Sequence, residues 1–268
     1  MNAARFNPLP DIWRNRKLIR SMVRRDILGR YRGSVGGAVW TLLNPLLLML
    51  TYFFVFGIVL RARFPGDPSQ WGFALNFLVG MLPWLAFSEA AGRAPLVISE
   101  NRNFVKKLVF PLETLPVNLV AAGLVTQAFA LVVLLVLLLV ARGGIPVTAL
   151  WAPALLVPQA LLTLGACWIL AALGVYFRDL GQINGFVLTL WFFLTPICYP
   201  EASWPAQAVW LLSKNPLYVL VRGYRQILLG SGAPAFGPLW KLWLLSIVVF
   251  ILGYALFARL RATFADVI

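Results

Sequence analysis

The chain has 268 residues, 61% hydrophobic and 12% charged, with 23 Lys and Arg against nine Asp and Glu for a net charge of +14. A soluble domain carries about a quarter charged residues, and a chain this apolar cannot cover a water-facing surface, so a soluble enzyme or binding module is excluded. The basic residues lie mostly beside apolar runs, where anionic head groups and membrane topology account for them, and no nucleic-acid partner is expected. Cys167 and Cys198 both fall in apolar stretches and form no disulfide framework. With no histidine in the chain, a His-based metal site, triad or proton relay is ruled out.

The N-terminal stretch Met1–Arg32 is basic and interrupted, with no apolar core ahead of a small-residue cleavage site. It does not read as a signal peptide, so the first span is expected to remain as a permanent helix. Within it, Asp11–Arg32 sets Ile12, Leu18, Ile19, Met22, Val23, Ile27 and Leu28 among many Arg and Lys. Several of these recur at three- and four-residue steps, which predicts an amphipathic helix lying on the inner leaflet. Residues 1–32 are therefore expected to form a cytoplasmic interface segment and 33–268 a transmembrane domain.

A hydrocarbon core about 30 Å thick needs roughly 20 apolar residues of helix. Six runs qualify, at about 36–60, 72–92, 115–141, 150–177, 182–199 and 242–258. None alternates as a barrel strand would, and an open sheet edge cannot cross lipid, so the expected fold class is an all-α membrane protein with six transmembrane helices. Between them, Glu100–Phe110 (ENRNFVKKLVF) is a polar connection closed by Pro111. The stretch 200–238 is too apolar to float free, yet its apolar pieces are too short to span. Two short re-entrant helices broken at Asn215-Pro216 are expected there. With six spans, sixteen of the 23 basic residues fall on the side of the termini, leaving Arg61, Arg63, Arg142, Lys214, Arg222, Arg225 and Lys241 for the other. The richer side faces the cytoplasm, so both termini are predicted inside.

No G-x-x-x-x-G-K-[ST] loop occurs, so the chain is not its own P-loop ATPase. No acidic or basic residue lies near the middle of a span, where ion-coupled transporters place one, and no nucleophile–base pair or carboxylate cluster marks an enzyme. A passive path driven by something else remains. The positive signal is aromatic: 11 Trp, 19 Phe and 7 Tyr, with clusters at Tyr52-Phe53-Phe54, Trp84 to Phe87, and Trp191-Phe192-Phe193 running towards Tyr199. Sugar C–H faces stack on aromatic rings, so Tyr52, Phe53, Trp84, Phe87, Trp191, Phe192 and Tyr199 are candidates for a polysaccharide channel. Trp and Tyr also collect at membrane interfaces for other reasons, and that reading stays open. Trp191 and Tyr199, eight residues apart on one continuous helix, would share a face.

At these residues the sequence resembles the permease subunits of polysaccharide-exporting ABC transporters of the type 2 exporter superfamily, closest to the O-antigen and teichoic-acid exporters, with capsule exporters more distant. The resemblance runs nearly end to end through RDILGRYRGSVGGAVWTLLNPLL at 25–47, GMLPW at 80–84, ENRNFVKKLVFPLE at 100–113, GVYFRDLGQI at 174–183, FFLTPICYP at 192–200 and KNPLY at 214–218. It implies a homodimer of this chain with two copies of a separate ATPase subunit, which holds the ATP and Mg; this chain carries no cofactor. It implies a polysaccharide on an undecaprenyl diphosphate-type lipid as substrate, such as O-antigen, and a bacterial inner-membrane location. Glu100, Asn101, Arg102, Asn103, Lys106 and Lys107 match the region that docks on the ATPase. Arg24, Arg25, Arg30 and Arg32 match the interface helix, where one attraction serves both anionic lipid and a lipid diphosphate. Pro196, Pro200, Asn215 and Pro216 match the gate at the outer mouth. The rival readings are a type 2 ABC permease for a drug, lipid, or capsule or teichoic polymer, and a non-transport scaffold or polyprenyl-sugar enzyme.

Overall fold

Four of the apolar runs become helices long and apolar enough to cross a membrane: Trp71–Glu100, Thr114–Arg142, Val147–Tyr176 and Phe236–Val267, each 29 to 32 residues. At 1.5 Å rise per residue each reaches past a hydrocarbon core. Two further apolar helices, Leu46–Val59 and Leu180–Leu194, are shorter. The structure, a computed structural model, describes residues 8–29, 39–64, 70–105, 110–230 and 232–267, with backbone alone at Thr41, Leu42, Pro45, Gln70 and Val105. Among these residues every regular element is helical, as a multi-pass membrane protein requires.

In chain order the helices are α1 (Pro8–Arg14), α2 (Arg16–Gly29), α3 (Trp40–Tyr52, continued as a π-helical stretch over Phe53–Val59), α4 (Gln70–Arg93), α5 (Val97–Glu100), α6 (Arg102–Val105), α7 (Thr114–Arg142), α8 (Ala152–Tyr176), α9 (Leu180–Leu194), α10 (Val209–Lys214), α11 (Pro216–Leu228), α12 (Phe236–Leu260) and α13 (Phe264–Val267). The amphipathic pattern read at 11–32 is helical through Gly29, in two pieces; Arg30 and Arg32 lie outside the described residues.

Three boundaries differ from the sequence reading, each for a local reason. The span expected over 182–199 stops at Leu194, because Thr195 is extended (φ −103°, ψ 124°) as a residue ahead of proline must be. The last span, expected at 242–258, starts at Phe236 and runs to Leu260. Lys241 near its start does not stop it, since a lysine close to a helix end can carry its ammonium to the interface. The loop expected over 200–238 thus ends three residues earlier and contains α10 and α11.

α8 and α12 cross with their backbones close together. A Cβ on Gly165 would run into the backbone of Val249, and one on Gly253 into the backbone of Gly165. Apolar lipid offers helices no hydrophobic drive to associate, so close backbone approach at small residues supplies the attraction. α4 lies along α7, and α11 rests against the first half of α4 and the start of α8. One apolar core fills this end around Phe73, Phe77, Met81, Tyr224 and Ile227. A second, around Trp168, Phe257 and Phe264, fills the end where α2 docks through Ile19.

Candidate functional site

At the α2 end, Asp26 pairs with Arg93 through two hydrogen bonds of 2.8 Å, donated by both terminal guanidinium nitrogens. A bidentate pair of this kind fixes orientation as well as position. It joins the amphipathic helix to the last residue of α4. Behind it lies a cleft of about 620 Å³ lined by Arg25, Asp26, Arg93, Glu100, Asn101 and Asn118, so Arg25 shares one space with two of the residues expected to meet an ATPase subunit. Arg24 points elsewhere, into an apolar groove of about 700 Å³ between α2 and α7, in a row with Arg16 and Arg20 over Ile19, Val23, Val117 and Val125. Neighbouring helical residues diverge by about 100°, which separates the two arginines. The segment after α4 is built by self-bonding: Asn101 Nδ2 donates to the Val97 carbonyl at 2.8 Å, and Arg102 Nε to that of Ser99 at 3.2 Å. Glu100, Arg102 and Asn103 are exposed; Lys106 and Lys107 lie outside the described residues.

Five of the seven aromatics proposed for a channel come together, and Phe53 joins them through Phe73. Phe192 sits 5.1 Å from Tyr52 and 5.3 Å from Trp84 between ring centres, Phe87 sits 5.2 Å from Trp191, and Phe53 meets Phe73 at 6.2 Å. Trp84, Phe87 and Phe192 are buried, at 8%, 2% and 4% exposure, so within one chain they pack against each other; Tyr52, Trp191 and Tyr199 are half-buried and Phe53 likewise. Tyr199 does not share the α9 face with Trp191, because the helix ends five residues before it. Its hydroxyl instead donates to the Phe193 carbonyl and accepts from Trp204 Nε1 at 3.0 Å.

At the far end, the break after α9 is stitched to α11. Asn215 caps α11, its Oδ1 accepting from the backbone N–H of Leu217 at 3.0 Å and of Tyr218 at 3.4 Å, with Pro216 at the first helical position. The same oxygen accepts from Trp191 Nε1 at 3.0 Å, and Asn215 Nδ2 donates to Thr195 Oγ1 at 2.9 Å. Pro196 and Pro200 lie in the connection between α9 and the short turn Glu201–Ser203.

Several residues at this end escaped the sequence reading. Arg225 on α11 donates Nε to the Asn76 carbonyl at 3.1 Å, Nη1 to that of Pro196 at 2.9 Å and Nη2 to that of Ile197 at 3.0 Å. Burial pulls its pKa down to about 10, which leaves it charged at neutral pH. Tyr218 donates to Glu201 Oε2 at 2.7 Å, and burial, helped by that carboxylate, raises the phenol to about 12. Deeper in, Gln127 on α7, Gln159 on α8 and Tyr224 on α11 form a closed triangle. Gln159 Nε2 donates to Gln127 Oε1 at 2.6 Å, Tyr224 Oη to Gln159 Oε1 at 3.0 Å, and Gln127 Nε2 to Tyr224 Oη at 3.2 Å. All three are buried. Such bonds between membrane helices stabilise by about 0.6 kcal/mol on average, modest singly but directional.

Comparison with known proteins decides the family. Residues 17–229 match the model described as ABC-2 type transporter. The chain belongs to the ABC-2 type transporter family. This ABC-2 chain is 35% identical over 259 residues to the O-antigen export system permease protein RfbA of Myxococcus xanthus, covering 96% of this chain and 97% of that protein. It is 28% identical over 250 residues to the protein of the same name from Klebsiella pneumoniae, covering 92% and 93%. The polysialic acid transport protein KpsM of Escherichia coli is 25% identical over 243 residues, covering 89% and 92%.

Proposed function

We propose that this chain is the membrane subunit of an ATP-driven exporter that moves a lipid-linked polysaccharide of the O-antigen type out of the cytoplasm across a bacterial inner membrane. The observation that carries the reading is the near full-length likeness to a protein named for O-antigen export, over 96% of one chain and 97% of the other. The likeness to KpsM, weaker at 25%, favours a capsule polymer as the second reading. In the proposed assembly two copies of the chain pair with two copies of a separate ATPase subunit, which binds ATP and Mg. In this reading α3 and α9 cross as well, making six spans with both termini on one side, and the Lys and Arg bias supports the cytoplasm as that side.

The residues then divide the work. The 100–107 segment, in which Glu100, Arg102 and Asn103 are exposed, takes up the ATPase movement, and the Asp26–Arg93 pair passes it between α2 and α4. Arg24 and Arg25 hold phosphate-bearing lipid at the inner leaflet. The half-buried aromatics Tyr52, Trp191 and Tyr199 offer ring faces to sugars where two copies meet, over the buried base of Trp84, Phe87 and Phe192. α10 and α11 close the outer mouth.

The chain has no phosphate loop, so the purified chain alone is expected to hydrolyse no ATP. Turnover should appear only with the co-expressed ATPase subunit, together with ATP-dependent appearance of surface polysaccharide. Robust hydrolysis by the chain by itself, or normal surface glycan in cells lacking it, would refute the proposal.

A further inference from the structure

Arg225 lies in a place where topology counting gives it no task. It is on α11, beyond the spans, yet its side chain turns inward and each arm of its guanidinium ends on a backbone carbonyl: Asn76 of α4, and Pro196 and Ile197 of the break after α9. The group also stands 4.6 Å over the ring of Phe64, from the loop that follows α3. Among the described residues no carboxylate lies within ion-pair distance of it. The cation touches three carbonyls, and the Glu201 carboxylate acts on it only from beyond ion-pair distance, so the geometry of the fork sets its orientation. The site is also shaped for the fork. Gly80 faces it, and a Cβ there would stand 3.0 Å from Nη2.

The two carbonyls at 196 and 197 belong to a stretch where the chain has left the helix, so their acceptors are free for a side chain to take. Arg225 takes both, and through Asn76 it ties that stretch to a long spanning helix. The Tyr224 triangle and the Asn215 cap also hold α11, but it is the Arg225 fork that ends on the 196 and 197 carbonyls, so α11 cannot move away from that stretch without withdrawing it. We propose that Arg225 is the positioning residue that clamps α11 across the α9 break and keeps the outer mouth closed, and that opening requires its release from the Pro196 and Ile197 carbonyls. The clause about the mouth rests on reading α11 as the outer gate; the clamp itself does not. Lysine cannot do the same work, because a single ammonium on a flexible stem cannot span three separated acceptors in the plane of a fork.

The protein carries its own reporters. Cys198 follows Ile197 directly and is 2% exposed; Cys167, in α8 within the other core, is 0% exposed. In nanodiscs both membrane faces are open to reagent. The full complex with its ATPase subunit, without nucleotide, would be treated there with a membrane-impermeant maleimide, and each cysteine followed by peptide mass mapping. Wild type should leave both thiols unmodified. Arg225→Lys, and Arg225→Gln as a second variant, should label Cys198 at least tenfold faster at normal abundance, with Cys167 still protected. Cys198 protected as in wild type overturns the clamp. Both cysteines reacting, or loss of the protein in both variants, shows that Arg225 merely holds the fold and also overturns it. Export is the separate arm. The clamp variants should lower surface polysaccharide several-fold at unchanged protein level. Fast Cys198 labelling with unaltered export would strike down the gate reading of α11.

Discussion

Gly80 and Arg225 are 145 positions apart in sequence and act on each other through one missing methyl. Adding a Cβ at Gly80 brings it 3.0 Å from Nη2, 3.4 Å from Ile197 and 3.5 Å from Val221. The guanidinium is the part that can give way, and what it loses is the bond to the Ile197 carbonyl. Hydrogen bonds from a charged group are worth about 1.5–3 kcal/mol, so Gly80→Ala should loosen the break without unfolding the bundle. The expected result is Cys198 labelling between wild type and Arg225→Lys, with wild-type membrane abundance. A second contrast separates neighbours in the aromatic cluster. Phe192 is 4% exposed and packed on Tyr52 and Trp84, so Phe192→Ala should lower protein level, as loss of a core aromatic costs about 3–5 kcal/mol. Trp191 is half-buried and spends its N–H on Asn215. Trp191→Ala should cut surface polysaccharide more than protein. Immunoblot and glycan staining on the same cells check both, and equal proportional losses in Trp191→Ala would remove it from the path.

Among the elements, long charge-free runs were the easiest to read, because about 20 apolar residues leave lipid as the sole solvent. Hence α4, α7 and α8 sit close to where they were expected, and Asn215-Pro216 marks the start of α11 through its capping chemistry. The end of α9 was also written in the sequence, in Thr195 ahead of Pro196, but the apolar run through Ile197 and Cys198 masked it. Arg225 was illegible for a different reason. Its partners are backbone carbonyls, which every residue has, so no spacing announces them. Gln127, Gln159 and Tyr224 are uncharged and far apart in sequence, and only the packing of α7, α8 and α11 joins them. Asp26 and Arg93, 67 residues apart, likewise read as topogenic or surface charges until the fold pairs them. That pair tests whether α2 moves with α4. Asp26→Asn or Arg93→Gln should lower ATP-driven export several-fold with the ATPase still bound, and Asp26→Arg with Arg93→Asp should restore part of it. Two single variants that export normally would make the pair a mere anchor.

At the scale of the molecule, the proposed pairing of two copies can be tested on the exposed face of α9. α9 presents Ile183, Phe186, Leu190 and Phe193 at 46–71% exposure, a stripe at three- and four-residue steps. α7 and α12 also expose apolar residues, among them Val132, Val136, Leu244 and Ile251, but those helices are 29 and 25 residues long and lipid can cover them along their length. α9 has 15 residues, about 22 Å of helix, several ångströms short of a bilayer core. A short apolar helix adapts by thinning the bilayer or by associating with protein, and pairing across the stripe removes the mismatch for both copies at once. In a chain with Cys167→Ser and Cys198→Ser, single cysteines at Phe186 or Leu190 should therefore form copy-to-copy crosslinks under mild oxidation in membranes. Cysteines at Val132 or Ile251 should not, although they are as exposed within one chain. Crosslinking of the α7 or α12 positions instead of α9 would move the interface and, with it, the place where the half-buried aromatics of two copies face one another.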